Sequence, residues 1–233
     1  MKRFYEEATV HEDGGEWGVK LDGKPLRTPA KAPLVLPTRA LAEAIADEWR
    51  GQEVTIKPAT LPLTRIASTA IDLIPQKRPA VIEETAKYAG TDLLCYHAEE
   101  PAKLVQRQAE AWQPMLDWAM LRYDAPLKVT AGILPVSQPA QSLRALTAAL
   151  AAMDDQRLMV LHLVTGACGS LILALALAEG RIGADEAFAL AQLDETFEIE
   201  LWGEDAEQTA RRANLLEDIR LMARFLSLLK PRA

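Results

Sequence analysis

The chain is poor in the residues that usually advertise chemistry. It holds two cysteines in 233 residues, Cys95 and Cys168, far apart and in apolar surroundings. They read as small core residues of a reducing compartment, not as a disulfide. There are three histidines, His11, His97 and His162, and none stands beside a second histidine or a cysteine at metal-ligand spacing. His162 and Cys168 are six apart, the wrong interval for one helix face, which argues against zinc. It argues equally against a Cys168 nucleophile served by His162. No Gly-x-Ser-x-Gly elbow occurs. Basic charge is also short. The net charge is -7 and the pI about 5.1, so a nucleic-acid partner is not expected, because phosphate neutralisation supplies most of that affinity. The first residues, Met1 to Glu7, form neither an apolar signal region nor a basic amphipathic presequence. The expected location is the cytoplasm.

There is one long apolar run, from Leu158 to Ala178. It has no formal charge and reaches the roughly 20 residues that can span a bilayer. His162, Thr165 and Ser170 interrupt it, and its flanks lack a lysine/arginine bias or an aromatic belt. The favoured reading is a helix buried on all sides in the core of a bundle; a peripheral membrane anchor is the competing one. Within it, Gly166-Ala167-Cys168-Gly169-Ser170 lacks the Gly-Lys-Ser/Thr ending of a phosphate loop. Small residues permitting close helix contact explain it better.

The first third is β-rich. Val10-His11-Glu12 and Trp17 to Leu21 flank Asp13-Gly14-Gly15, and Asp22-Gly23 links the second run to Lys24–Thr28. Such turns are strong hairpin signals. Leu34-Val35-Leu36 reads as a further strand, and Val54-Thr55-Ile56 as a return to the sheet. Thr38 caps a helix that carries Leu41, Ile45 and Trp49 on one face and ends at Gly51. A helix from Leu63 is expected to close at Pro75, with a second from Arg78 to Tyr88. Asp92 to His97 reads as a short strand or tight connection. From Pro101 the pattern is helical: Ala102–Tyr123, kinked or broken at Pro114; a connection at 129–134; Gln138–Met153; the apolar run; Ala184–Leu201; and about Glu204–Leu229. The expected fold is α+β, a small β-rich N-terminal domain (1–100) followed by a larger all-helical C-terminal domain (101–233) with a buried central helix.

Between Glu179 and Glu207 the chain carries ten acidic residues against the single Arg181. Leu190, Leu193, Phe197 and Leu201 form an expected buried stripe, and Asp194, Glu195, Glu198 and Trp202 share an adjacent sector. A tryptophan ringed by carboxylates suits a partner rich in arginine. A solvated acidic face is the plainer alternative.

Several stretches together resemble the ATP-twelve family of chaperones. They are Leu21 to Pro29, Ala46 to Gln52, Leu61 to Arg65 with Thr69 to Asp72, Tyr88 to Tyr96, Trp112-Gln113-Pro114 with Trp118, and Leu193 to Gly203. The resemblance covers about residues 3 to 205. It implies an assembly factor that binds the free α subunit of the F-type ATP synthase catalytic head and prevents its aggregation until a β subunit replaces the chaperone. It implies no nucleotide cofactor and no catalysis. The family's important acidic position falls on Asp194, beside Glu195, and the aspartate departs from the glutamate usual there. The Glu-Trp-x-x-Gln motif falls on Glu48, Trp49 and Gln52, with Trp49 expected to serve mainly in packing. Beyond Gly203 the family pattern is absent. The expected partner-binding set is therefore Asp194, Glu195, Glu198, Trp202, Trp49 and Gln52, in a protein without membrane insertion that is monomeric when free. The alternative is a small-molecule enzyme with a site between the two domains, using Tyr88, Asp92 and Arg65.

Overall fold

The computed structural model describes residues 1–132 and 134–230. Ile133, inside the expected connection at 129–134, lies outside the described residues, as do residues 231–233.

Strands β1 (Ala8–Asp13), β2 (Glu16–Leu21) and β3 (Lys24–Pro25) form an antiparallel sheet in that order. Ala8 pairs with Leu21 and Asp13 with Glu16. This register leaves two-residue turns at Gly14-Gly15 (φ 63° and 88°) and Asp22-Gly23 (φ 47° and 76°). Two consecutive positive φ values match the twist of the flanking strands, which is why these sequences make hairpins. The third strand is two residues long, and just beyond it the Leu26 N–H still donates to the Val19 carbonyl at 2.8 Å. The expected strands at Leu34–Leu36 and Val54–Ile56 are single bridges, Trp17 to Leu36 and Lys2 to Thr55.

Helix α1 (Arg39–Arg50) starts where expected: the Thr38 side chain accepts a hydrogen bond from the Leu41 N–H at 3.2 Å. Helix α2 (Pro62–Lys87) corrects the sequence reading. It runs unbroken through Pro75 and Pro79. Helix α3 (Ala102–Tyr123) likewise continues past Pro114. All three prolines are exposed, so water can reach the side of the helix where each removes a backbone hydrogen bond, which lowers the local cost. The opposite face of α2 keeps Leu63, Ile66, Ala67, Ala70 and Ile74 buried. That continuous apolar stripe outweighs the breakers.

The apolar run is also corrected. It is two helices, α5 (Asp155–Cys168) and α6 (Leu171–Glu179), following α4 (Ala140–Ala151). Gly169 takes φ 66° and Ser170 caps α6, its hydroxyl accepting from the Leu173 N–H at 3.0 Å. Only α6 is buried on every side, from Leu171 to Leu177. Among the described residues no helix is long and apolar enough to cross a membrane. The expected helix at Ala184–Leu201 divides at Gln192 into α7 (Ala184–Ala191) and α8 (Leu193–Trp202), and α9 (Ala206–Leu228) follows. A short 3-10 turn at Leu93–Cys95 leads into β4 (Tyr96–His97), which pairs in parallel with β5 (Thr130–Ala131).

The architecture is thus α+β, a small antiparallel sheet followed by a larger helical part. Packing groups the chain by a rule other than composition. One compact unit holds residues 1–78, 154–160 and 224–233; the other holds 79–153 and 161–223.

Candidate functional site

The acidic segment is built around α8. Its first turn is held from behind by α3. Gln108, almost fully buried, donates from Nε2 to Asp194 Oδ1 at 2.7 Å and accepts the Ala98 N–H at 2.7 Å. Trp112 is buried and donates from Nε1 to the Leu190 carbonyl at 3.0 Å. Burial raises the Asp194 carboxyl above the ordinary carboxylate range, opposed by the Gln108 hydrogen bond and nearby His97. Glu195 is only 16% exposed and forms ion pairs with Arg211 and Arg212 of α9. Gln208 adds a hydrogen bond to it at 3.0 Å.

The charge surplus counted along the sequence is much smaller in space. Glu179 pairs with Arg122, Asp185 with Arg220, Glu200 with Arg107 and Glu204 with Arg212. Asp205 accepts the Gln208 N–H at 2.8 Å and so caps α9. Glu186, Glu198 and Glu207 are exposed and make no ion pair among the described residues. The sequence could not reveal this, because the neutralising arginines lie up to 93 positions away.

The far end of α8 is different. Leu190, Leu193 and Phe197 are buried as expected, but Leu201 is 57% exposed and Trp202 85% exposed. Leu201 therefore leaves the expected buried stripe. Leu193 and Phe197 lie on the same face of α8 and are buried, so it is the last turn of the helix that leaves the core. Gly203, at φ 84°, ends it. Glu198, Leu201 and Trp202 project together from the tip, an anionic and apolar surface on a rigid element.

Glu48, Trp49 and Gln52 do a different job. The Glu48 carboxylate accepts the N–H groups of Leu63 (2.6 Å) and Thr64 (2.9 Å) and the Thr64 hydroxyl (2.7 Å). It caps α2 from across the chain, where the helix dipole favours an anion. Burial still holds its carboxyl above the usual range, against those hydrogen bonds. Trp49 is 8% exposed, lies at a tilt against Tyr5 (ring centroids 5.6 Å apart) and donates to Thr64 Oγ1 at 3.1 Å. Gln52 donates to the Glu48 carbonyl and Thr60 Oγ1, both at 2.9 Å, and accepts the Lys57 N–H at 2.8 Å. The motif fastens α1 and the 52–60 loop to the start of α2.

The buried carboxylate of Asp92 is structural too. Its oxygens accept the N–H groups of Leu94 (3.2 Å) and Ile172 (3.1 Å), and burial pushes its pKa to about 6. Burial, with Asp92 nearby, pushes the thiols of Cys95 and Cys168 to about 12, far from thiolate chemistry at neutral pH. His162 Nδ1 lies 2.9 Å from the Thr85 hydroxyl. Among the described residues no group of three or more His, Cys, Asp or Glu could hold a metal ion.

Known proteins share this arrangement. The family described as ATP12 chaperone protein matches residues 2–120. The crystal structure of Atp12 from Paracoccus denitrificans is 44% identical, with a TM-score of 0.95 and 98% of each chain covered. This chain belongs to the ATP12 chaperone family. An aspartate-to-lysine mutant of the Paracoccus Atp12p matches with the same figures. Protein atp12, mitochondrial, of Schizosaccharomyces pombe is 24% identical over 222 residues, 89% of this chain and 76% of that one. Within an ATP12 chaperone, then, the six residues drawn from the sequence fall into two groups. Trp49 and Gln52 are engaged inside one compact unit. Asp194 and Glu195 are tied to Gln108 and the α9 arginines of the other, whereas Glu198 and Trp202 are exposed. Sequence reasoning missed Leu201, Gln108 and the α9 arginines; no local signal marked them.

Proposed function

We infer that this ATP12-family protein is an assembly chaperone of the F-type ATP synthase, acting in the cytoplasm. Its client is the unassembled α subunit, which it holds until the β subunit takes its place. The family supports the chaperone role. The observation that carries the binding reading is the α8 tip, where Trp202 and Leu201 stand in solvent beside the unpaired Glu198. Large apolar side chains exposed together on a helix end mark an interaction site, and a tryptophan there supplies much of an interface's energy. An orphan subunit exposes the apolar face its neighbour would cover; a chaperone that covers it reversibly prevents aggregation. The carboxylate steers encounter and rejects wrong partners more than it adds affinity.

The test is light scattering of isolated α subunit, with binding measured in parallel. The wild-type protein is expected to suppress aggregation. Trp202→Ala should weaken binding by about 2 kcal/mol, roughly thirtyfold in Kd, and Glu198→Lys by less. Equal suppression by both variants would remove the α8 tip from the mechanism. Asp194 and Glu195 are poorer probes, since a lysine at Glu195 would confront Arg211 and Arg212 and disturb the fold itself.

A further inference from the structure

We propose that a groove on the first compact unit is a second docking site, for an extended client segment that places an apolar side chain next to a carboxylate. The proposal rests on the client-holding role inferred above. The groove has a volume of about 610 Å³, a size that takes a few side chains. Most of its walls come from stretches that carry the family resemblance, Leu21–Pro29, Ala46–Gln52, Leu61–Arg65 and Thr69–Asp72, with Pro58, Ser68 and Leu73 beside them. Pro29, Trp49, Pro58, Leu61 and Leu73 make it mainly apolar. The edge of Trp49 left over from its packing therefore has a place to act.

Two features say what would fill it. The first is charge. Asp72 is the only acid in the lining, and both its oxygens are engaged: Oδ1 accepts from the Thr28 hydroxyl at 2.6 Å and Oδ2 from the Ala30 N–H at 3.1 Å. Arg27 is exposed and donates from one Nη to the Lys31 carbonyl at 2.8 Å. Arg65 is exposed, and its guanidinium has no hydrogen bond or ion pair among the described residues. The groove thus presents two cations against one carboxylate that is already taken, a field complementary to an anion. The second feature is Ser68. The residue is 5% exposed and lines the groove, and its hydroxyl makes no hydrogen bond among the described residues. Its oxygen is open to water and not sealed in, so a backbone group of an extended segment can take the place of that water. A segment with its apolar side chain over Trp49 and Leu61 and its carboxylate at Arg65 meets both demands.

The experiment uses the full chain and fluorescein-labelled overlapping peptides of the α subunit, with fluorescence anisotropy as the readout. Peptides that join Leu, Ile or Phe to Asp or Glu are expected to bind. Arg65→Glu should weaken them at least tenfold without lowering the melting temperature. Replacing the peptide's acidic residue by lysine should abolish binding to wild type and restore it to Arg65→Glu. That charge swap distinguishes a groove contact from general stickiness. No peptide binding, or binding indifferent to Arg65→Glu, overturns the groove. Capture of intact α subunit is measured alongside. A wild-type chain that fails to hold it defeats the client assignment, while the charge swap would still establish the groove.

Discussion

Trp49 and Trp202 both stood out in the sequence as candidate contacts, and the fold uses them in opposite ways. Trp49 sits at the α1–α2 corner with its ring packed on Tyr5 and its indole N–H given to Thr64. Trp202 ends α8 with most of its surface in water. The same side chain is a fastener in one place and an offered surface in the other. Carboxylates divide likewise. Glu48 and Asp92 have their oxygens filled by backbone N–H groups, whereas Glu198 is unpaired among the described residues. Residue type does not set the role; what matters is whether the group's contacts are already satisfied within the chain.

The contrast can be broken most forcefully at Trp49. Trp49→Ala should destabilise the protein by about 3–5 kcal/mol, the usual cost of removing a packed aromatic, read from chemical denaturation. A loss below about 1 kcal/mol would mean that this corner is not the fastener described. A smaller effect is expected at Asp92. Its folded pKa, about 6, lies above the unfolded value, so the folded state binds the extra proton. Its stabilising contribution is fully present below about pH 4 and is lost as pH rises through about 6. Asp92→Asn should therefore flatten the fall in stability between pH 4 and 6, measured as the wild-type minus variant difference in melting temperature. An identical slope in both proteins would show that Asp92 does not titrate there. The smallest effect belongs to Trp202. Trp202→Ala should change stability by less than about 0.5 kcal/mol, as surface substitutions do, while weakening client binding. A large loss of stability would place that ring in the core after all.

Local signals were legible where the physics is local. The hairpins at Gly14-Gly15 and Asp22-Gly23 need positive φ, and only a few residues accept it. Thr38 caps α1 because the first N–H groups of any helix lack partners. The acidic and aromatic character of the α8 segment was equally plain. The prolines misled, because a breaker is costly only if its freed carbonyl is buried or its helix has no other support. Pro75, Pro79 and Pro114 lie on exposed faces of helices held by buried stripes. The apolar run misled in the other direction. Its composition favours a continuous helix, and the break at Gly169-Ser170 is held by the Ser170 cap and by the buried Asp92, which lies 80 positions from the Ile172 it binds. At the candidate site, an excess of ten acids over one arginine counts sequence neighbours, whereas charges interact with spatial neighbours.

The sequence by itself determined the α+β class, the hairpins, the family, and the strip of chain richest in acidic residues. Those features depend on φ preferences, on hydrophobic period and on short motifs, all of which act over a few residues. Only the tertiary structure decided which residues of that strip face outward. Arg107, Arg211 and Arg212 neutralise their carboxylates from other elements, and Leu201, at the last turn of α8, stands in solvent although Leu193 and Phe197 on the same face are buried. Pairing and burial are properties of distance in space, and distance in space is what the fold adds to the order of the residues.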